Sequence, residues 1–194
     1  MAERSSLVRL QAEYDIEVEW VGYELHPDTP RGGIPLTSYL PDAEAMLGYV
    51  KRFAAGFGIR DLRSPERLAS TRRTLAVAQY ARDAGELGRF RAAAFDAYWR
   101  EGRDLDRDEE LAHVARAAGL DPAAALAAAD EAGALACVDA ARRAAQAASV
   151  TGVPTFDFTP APDTRPVARV VGCQPYEVLA DAARRAGARR RGER

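Results

Sequence analysis

Cysteine is scarce in this chain of 194 residues, which has only Cys137 and Cys173. Two cysteines that far apart provide neither a disulfide framework nor the ligand spacing of a zinc site. Apolar runs long enough to span a bilayer are also missing. The residues from Met1 to Ser6 lack the apolar core of a signal peptide. We therefore expect a soluble, cytoplasmic protein with no membrane partner.

An excess of charge of one sign is missing as well. The chain has 27 Lys and Arg residues against 29 Asp and Glu residues, and its formal net charge is -2. Nothing in this balance favours a nucleic acid as a partner. The two histidines, His26 and His113, lie far apart without Cys or carboxylate neighbours in ligand spacing, so no metal site is predicted. A hydrophobic fraction of 47% is enough for a globular core.

The N-terminal part of the chain predicts a helix followed by a strand. Leu7, Leu10 and Tyr14 give an apolar face at helical spacing. From Ile16 to Leu25 apolar and charged residues first alternate, and β-branched and aromatic side chains are frequent, which is typical of a strand. A loop rich in Pro and Gly follows.

The C-terminal part predicts two short strands, at residues 154–158 and 167–172, and a closing helix at residues 175–186. We expect a basic, frayed tail at residues 187–194. The strands at both ends of the chain should share one sheet, because a lone strand leaves its backbone edges unpaired in water.

Between these ends, residues 42–149 give only helical patterns. The predicted helices cover residues 43–57, 64–84, 87–99, 106–118, 121–133 and 135–149. Ser64 is the expected N-cap of the second helix, with Pro65 at its first position. Asp106 and Glu109 match the pattern of a capping box.

Three stretches carry a family resemblance. They are Val18 to Pro30, Gly152 to Phe156 with the sequence Gly-Val-Pro-Thr-Phe, and Gly172 to Leu179. In this order, and with the helical block between them, they resemble the DsbA family of thioredoxin-fold oxidoreductases. The resemblance is specifically to its FrnE-like and 2-hydroxychromene-2-carboxylate-isomerase-like branch.

The resemblance implies an α/β, thioredoxin-like fold with a large all-helical insertion. Residues 1–41 and 150–186 would form the thioredoxin-like domain, residues 42–149 the insertion and residues 187–194 a basic tail. The family's first β-strand and its Cys-x-x-Cys motif have no counterpart in the sequence.

In the family that motif lies at the N-terminus of the first helix, which stabilises the nucleophilic thiolate, and the second cysteine resolves the mixed disulfide. Met1 to Leu10 resembles the body of this helix, so the catalytic thiols would precede Met1 and no catalytic residue is present. A start codon assigned too late and a true truncation both explain this. We favour the first, because loss of a central strand would expose apolar surface and unpaired backbone groups.

Val153, Pro154 and Thr155 are the candidate substrate-binding residues. The resemblance implies a cis Val153–Pro154 peptide bond and an exposed backbone at Val153 that pairs with an extended substrate. The local sequence by itself favours an ordinary trans proline that opens a strand.

The cysteines and histidines have simpler interpretations. Cys137 and Cys173 are predicted to be small, buried hydrophobic residues, although a regulatory thiol at Cys173 or a disulfide between the two stays open. His26 is expected to brace its loop, and His113 to be structural.

Three functions follow from the resemblance and from the residues present. The first is a thiol–disulfide oxidoreductase that acts on protein or small-molecule thiols and disulfides without a cofactor. The second is a glutathione-dependent isomerase or kappa-class transferase, with glutathione held partly by the backbone from Gly152 to Thr155. The third is a non-catalytic binding module, in which an open sheet edge recruits a partner strand or forms a homodimer.

Overall fold

The computed structural model describes residues 4–40, 42–63, 66–162 and 164–192. They divide into two compact units. The terminal unit combines the described residues up to Trp20 with those from Gln146 onward, and the helical unit covers residues 21–145. The helical unit therefore starts earlier than the insertion expected at residues 42–149 and ends slightly before it.

The described residues form nine α-helices and four short strands, and a π-helical turn at Ala97–Glu101 continues the fifth helix. In chain order the elements are α1 (Arg4–Glu13), β1 (Ile34–Pro35), α2 (Leu36–Tyr39), α3 (Ala43–Gly56), β2 (Arg67–Leu68), α4 (Arg72–Asp83), α5 (Leu87–Asp96), α6 (Asp108–Ala117), α7 (Pro122–Ala129), α8 (Ala132–Ala147), β3 (Thr155–Phe158), β4 (Ala168–Val171) and α9 (Tyr176–Arg185). No described helix has both the length and the apolar character needed to cross a membrane.

Local capping explains why two of the helices begin where they do. The Asp121 carboxylate accepts a hydrogen bond from the backbone N–H of Ala124 at 2.7 Å, and Pro122 occupies the first turn of α7. The Asp42 carboxylate accepts from the N–H of Ala45 at 3.1 Å at the start of α3. Each carboxylate satisfies one of the N–H groups that have no partner within the helix.

The predicted start of α4 is wrong. The helix begins at Arg72, and Arg67–Leu68 instead form β2, which pairs antiparallel with Ile34–Pro35. The stretch from residue 42 to residue 149 is therefore not entirely helical. Ser64 and Pro65, the expected cap of this helix, lie outside the described residues.

A glycine turn and an arginine hold β1 and β2 together. Gly33 has a φ of 66°, and a Cβ at this position would collide with the backbone carbonyl of Leu68. The Arg67 guanidinium donates to the carbonyl oxygens of Gly32 and Gly33, each at 2.7 Å. The close approach of the two strands therefore depends on the missing side chain at Gly33.

The capping box predicted at Asp106 is also wrong. The residue before α6 is Arg107, which makes no side-chain cap. Asp106 is buried, and its carboxylate accepts the backbone N–H of Gly32 at 2.7 Å. The Asp106 carboxylate therefore bonds a residue far away in the sequence instead of capping α6.

The helix predicted at residues 121–133 ends earlier, at Ala129. Glu131 accepts hydrogen bonds from the N–H groups of Gly133 and Ala134 at 2.8 and 2.6 Å, just where α8 begins. Because the Glu131 carboxylate satisfies these first N–H groups, a helix starts here, and Gly133 lies inside α8 instead of ending α7.

The core of the helical unit is built from α4, α5, α6 and α7. Its largest fully buried side chains are Val77, Phe90, Leu111 and Val114. Arg73 of α4 is buried beside this core.

Three anionic or polar groups surround the Arg73 guanidinium. It donates to both carboxylate oxygens of Asp130 at 2.9 and 2.8 Å, to the Asp108 carboxylate at 2.7 Å and to the carbonyl oxygen of Asp106 at 2.9 Å. A buried arginine is tolerated in the helical unit because its donors find these partners.

In the terminal unit, β3 and β4 form an antiparallel pair with Phe156 opposite Val170. Residues of α1 and α9, among them Leu10 and Leu179, form a buried cluster with Val170. The half-buried Phe156 and Phe158 pack against this cluster. One face of the strand pair is therefore covered by two helices.

The predicted strand from Ile16 to Leu25 has the expected alternation of exposure but pairs with no other strand among the described residues. Ile16, Val18 and Trp20 are half-buried while Glu17 and Glu19 are exposed, as the alternation requires, but the segment belongs to no ladder. A strand needs a neighbouring backbone to hydrogen-bond with, and no described strand pairs with this segment. The expected single sheet is therefore absent from the described part of the chain.

The C-terminal residues 187–192 are not frayed, contrary to expectation. The N–H of Arg191 donates to the carbonyl oxygen of Glu13 at 2.8 Å, and the N–H of Asp15 donates to that of Arg189 at 2.9 Å. The Arg190 guanidinium also donates to the Glu13 carboxylate at 3.0 Å. The arginines of this tail thus attach it to the end of α1.

Candidate functional site

A sharp reversal of the chain leads from α8 into the candidate substrate-binding loop, Gly152 to Thr155. After α8 ends at Ala147, Ser149 adopts a φ of 56°, and its N–H donates to the carbonyl oxygen of Gln146 at 2.9 Å. The left-handed conformation at Ser149 turns the chain out of the helix direction and toward β3.

Two hydrogen bonds fix this loop. The Thr155 hydroxyl donates to the carbonyl oxygen of Gly152 at 2.7 Å, and the N–H of Gly172 donates to that of Pro154 at 2.7 Å. The Val153–Pro154 peptide bond is cis, which is the isomer that the resemblance implies. The first bond closes the loop on itself, and the second joins it to the turn after β4.

Val153 is the most accessible residue of the loop. This residue is 48% exposed, whereas Pro154 and Thr155 are half-buried. Among the described residues, none hydrogen-bonds the backbone N–H or C=O of Val153. A ligand with an extended backbone could pair with these groups.

Arg169 braces the loop from β4. Its guanidinium makes two parallel hydrogen bonds to the Asp157 carboxylate of β3, at 2.6 and 2.7 Å, and donates to the carbonyl oxygen of Ala148 at 2.5 Å. The hydrogen bond that Arg169 donates to the Asp157 carboxylate raises the pKa of Arg169 above its ordinary value. One side chain therefore connects both strands to the segment that enters the loop.

Arg169 was not predicted from the sequence to be part of the site. The available signal was an acidic residue in one predicted strand and a basic residue in the next. Whether such residues face each other depends on the register, which the sequence does not specify.

The segment from Ser149 to Phe156 contains no acidic, basic or thiol side chain. The Thr155 hydroxyl already donates to a carbonyl oxygen. The loop can therefore hold and orient a ligand through its backbone, but it has no side chain suited to proton transfer or to attack on a disulfide.

The two cysteines do not supply the missing thiols. Both are free, and Cys137 is exposed on α8, so the prediction that it is buried is wrong. Cys173 is half-buried and directly follows Gly172, whose N–H bonds the loop. The described residues contain no disulfide.

The histidines lie elsewhere. His26 and Tyr39 share a hydrogen bond of 3.2 Å between the imidazole Nδ1 and the phenol oxygen, which agrees with a loop-bracing role. His113 is exposed on α6. The described part of the chain holds no group of three His, Cys, Asp or Glu residues placed to bind a metal ion.

Comparison with known proteins adds two findings. The family model of the DSBA-like thioredoxin domain matches residues 2–184. The structure is also similar to the crystal structure of a probable DsbA oxidoreductase from Streptomyces coelicolor, with a TM-score of 0.80 and 26% sequence identity, over 100% of this chain and 85% of that one. No curated protein matches the chain.

Proposed function

Because the chain belongs to the DSBA-like thioredoxin family and has its fold, we propose that it acts in thiol–disulfide exchange and that Gly152 to Thr155 hold the substrate. The observation that carries this proposal is the exposure of Val153, whose backbone makes no hydrogen bond with the described residues, in a loop fixed by two hydrogen bonds. A preorganised backbone of this kind suits the extended segment around a reactive cysteine.

The reacting thiols would lie ahead of α1, as the family resemblance implies. In the exchange, one thiolate attacks a sulfur of the substrate disulfide, a mixed disulfide forms, and the other substrate sulfur leaves as a thiolate that takes up a proton. A second protein thiolate then displaces the bound substrate sulfur. The substrate gains two electrons and two protons, and the protein is left with a disulfide; the reverse sequence oxidises a dithiol.

In this mechanism the described residues bind and orient. The carbonyl and N–H of Val153 would align the substrate strand, while the hydroxyl of Thr155 keeps the loop closed. Arg169 holds β3 and the incoming segment in place through Asp157 and Ala148. The alignment keeps the substrate sulfur in one position relative to the attacking thiolate.

The first test is the intact mass of the protein expressed from its own locus with its native upstream DNA. We expect a mass above that of Met1 to Arg194, with an added segment that carries a cysteine pair and with activity in an insulin-reduction assay. A mass that matches these 194 residues, together with no disulfide exchange, would contradict the proposal.

A second test addresses the loop in that active form. Thr155→Val removes the hydroxyl that donates to Gly152 without changing the side-chain volume much, and we expect the KM for a peptide disulfide to rise about fivefold. Thr155→Ser retains the hydroxyl and is the matched control. Equal kinetics for the two variants would exclude the loop from substrate binding.

Glutathione is a second candidate ligand for the same loop. It is a short peptide with an extended backbone, and the described residues near the loop offer backbone groups instead of a thiol pair. Isothermal titration of the chain with glutathione and with S-methylglutathione would test it. Binding of both with similar affinity supports an isomerase or transferase role, and no heat with either excludes it.

A further inference from the structure

A cavity of about 340 Å³ opens on the helical unit at the start of α6. Two segments line it, the glycine turn before β1 and the residues that lead into α6: Arg31, Gly32, Asp106, Arg107, Asp108 and Glu109. Asp106 is only 4% exposed, whereas the other lining residues are exposed. Asp106 therefore lies deepest, and the charged side chains around it form the rim.

The two oxygens of the Asp106 carboxylate differ in their surroundings. Oδ2 accepts a hydrogen bond from the backbone N–H of Gly32 at 2.7 Å. Oδ1 is buried, and no group of the described residues donates a hydrogen bond to it. A buried acceptor without a partner is costly, and the cost is larger for a charged group. A ligand that donates to Oδ1 would therefore be stabilised in this cavity.

Asp106 also lacks a cation, unlike the two other acidic residues of the cavity. The Asp108 carboxylate accepts from the buried Arg73 guanidinium at 2.7 Å, and that of Glu109 lies 3.5 Å from the Arg107 guanidinium. Asp106 forms no ion pair within the described part of the chain, and Arg73 donates to its backbone carbonyl oxygen instead, at 2.9 Å. A buried carboxylate without a cation favours a positively charged ligand.

A primary ammonium group fits this environment better than other cations. The described residues include no group of three His, Cys, Asp or Glu residues placed for a metal ion. A guanidinium binds best through two parallel hydrogen bonds to both oxygens of a carboxylate, and Oδ2 of Asp106 is already bonded by Gly32. An ammonium is compact and has three N–H donors, each of which needs only one oxygen.

We propose that this cavity binds the primary ammonium group of an alkylamine, with Asp106 as its anchor. One N–H of the ammonium donates to Oδ1, and the other two face the rim carboxylates of Asp108 and Glu109. Because Arg31 and Arg107 are exposed, their side chains can move aside when the alkyl chain enters. The ligand is a free amine or the side chain of a peptide lysine, since both end in the same group. The site uses residues of the helical unit alone and does not depend on the thiol chemistry proposed above.

The first test compares two probes of equal charge, n-butylammonium and butyltrimethylammonium, by the amide chemical shifts of the 194-residue chain in NMR spectra. The second probe has no N–H and cannot donate to Oδ1. We expect n-butylammonium to shift the amide of Gly32, which bonds the other oxygen of Asp106, in a saturable manner. Butyltrimethylammonium should leave it unchanged. Equal shifts with both probes, or none with either, would overturn the proposal.

A matched pair of variants locates the site. Asp106→Asn can keep an oxygen for the N–H of Gly32 but replaces Oδ1 by an uncharged NH₂ group, which donates instead of accepting. The dissociation constant of n-butylammonium should rise about tenfold or more, because a hydrogen bond between two charged groups is lost. Glu109→Gln removes the same charge at the exposed rim and should raise it by less than about threefold. Equal weakening by both variants would indicate general electrostatic attraction and would overturn the proposal.

A third probe separates the two sources of the ammonium group. Nα-acetyl-lysine methylamide presents the lysine side chain with a peptide bond on each side, and we expect it to shift the amide of Gly32 as well. Tighter binding than that of n-butylammonium would support a peptide lysine as the ligand, and equal or weaker binding a free amine. The three probes are compared on the wild-type chain, so this result does not rely on a variant that folds. If no probe with an ammonium N–H shifts Gly32, the proposal is overturned, and buried water satisfies Oδ1.

Discussion

The terminal and helical units differ in how far along the chain their contacts reach. In the helical unit, the core joins α4, α5, α6 and α7, which follow one another with short connections. In the terminal unit, α1 must meet α9, and the Glu13 carboxylate accepts hydrogen bonds from the Tyr176 hydroxyl at 2.8 Å and from the Arg190 guanidinium at 3.0 Å.

This difference matters for stability because closing a long loop costs conformational entropy before its contacts form. The cluster of thirteen buried residues in the helical unit is formed largely by sequence neighbours, whereas the cluster of seven in the terminal unit depends on both ends of the chain. We therefore expect the helical unit to retain its structure under conditions in which the terminal unit opens.

The largest expected effect comes from Phe90→Ala in the helical unit. Phe90 is only 1% exposed, and its truncation should lower the free energy of unfolding by about 3–5 kcal/mol through lost burial and an unfilled cavity. Urea denaturation would measure the loss, and hydrogen exchange would locate it in α4 to α7.

Phe95→Ala is the matched control for Phe90→Ala. Phe95 lies on the same helix but is 39% exposed, so we expect a loss of about 1 kcal/mol or less. Similar losses for the two variants would show that the described core is not what stabilises this unit.

The next prediction concerns the core of the terminal unit. Leu179→Ala truncates a side chain with no exposed surface on α9, and the expected loss is about 2–4 kcal/mol. In hydrogen exchange, α1 and the strand pair should lose protection while α4 to α7 keep theirs. Protection lost equally in both units would break the comparison, because it would mean that they unfold as one.

Val178→Ala controls for the change of side-chain size at the neighbouring position. Val178 is 42% exposed, and its truncation should change the free energy of unfolding by less than about 1 kcal/mol. A larger loss at Val178 than at Leu179 would show that α9 faces the sheet with its other side.

The same contrast explains which structural predictions succeeded. The start of α7 at Asp121 and Pro122 was predicted, because the capping carboxylate and the N–H that donates to it lie three residues apart and both are visible in the sequence. Strand β2 was not predicted, because its partner Ile34–Pro35 lies more than thirty residues earlier, and a two-residue strand has no periodicity of its own.

The role of Val153, Pro154 and Thr155 in substrate binding stays a prediction, but the source of each part of the candidate site can be named. Gly152 to Thr155 were identified through the family resemblance. One of the two hydrogen bonds of this loop joins Thr155 to Gly152, and the other reaches Gly172, directly after β4. Arg169 was missed because the sequence does not specify the register of β3 and β4. The arginines of the C-terminal tail were missed because an arginine-rich segment looks solvated until its partners are known. Glu13, which holds that tail, was equally hidden, since its partners lie 163 and 177 residues away.

A third prediction uses the pH dependence of Glu13. Hydrogen bonds from Arg9, then from Tyr176 and Arg190, lower the pKa of Glu13 from 4.5 to about 2. A carboxylate with a lowered pKa in the folded state stabilises the protein above pH 4.5, and this contribution is lost as the pH falls toward 2. The stability difference between the wild type and Glu13→Gln should therefore shrink over this range.

Urea denaturation of both proteins at several pH values would measure this difference. Glu17→Gln removes an exposed carboxylate four residues later and controls for the change in net charge. If the difference between the wild type and Glu13→Gln stays constant across the range, the contact of α1 with the tail does not form in solution, and the long-range character of the terminal unit is weaker than described.

The smallest expected effect tests a purely local contact of the helical unit. Asp121→Ala removes the carboxylate that accepts the N–H of Ala124 at the start of α7, which should lower the free energy of unfolding by about 1 kcal/mol. Asp121→Asn retains a capping oxygen and should lose less. Because the capping partner is three residues away, the loss should also appear in hydrogen exchange as fraying confined to the first turn of α7. Loss of protection throughout the helical unit would instead mean that α7 is needed before the other helices can pack, and the unit would then be less locally determined than its connections suggest.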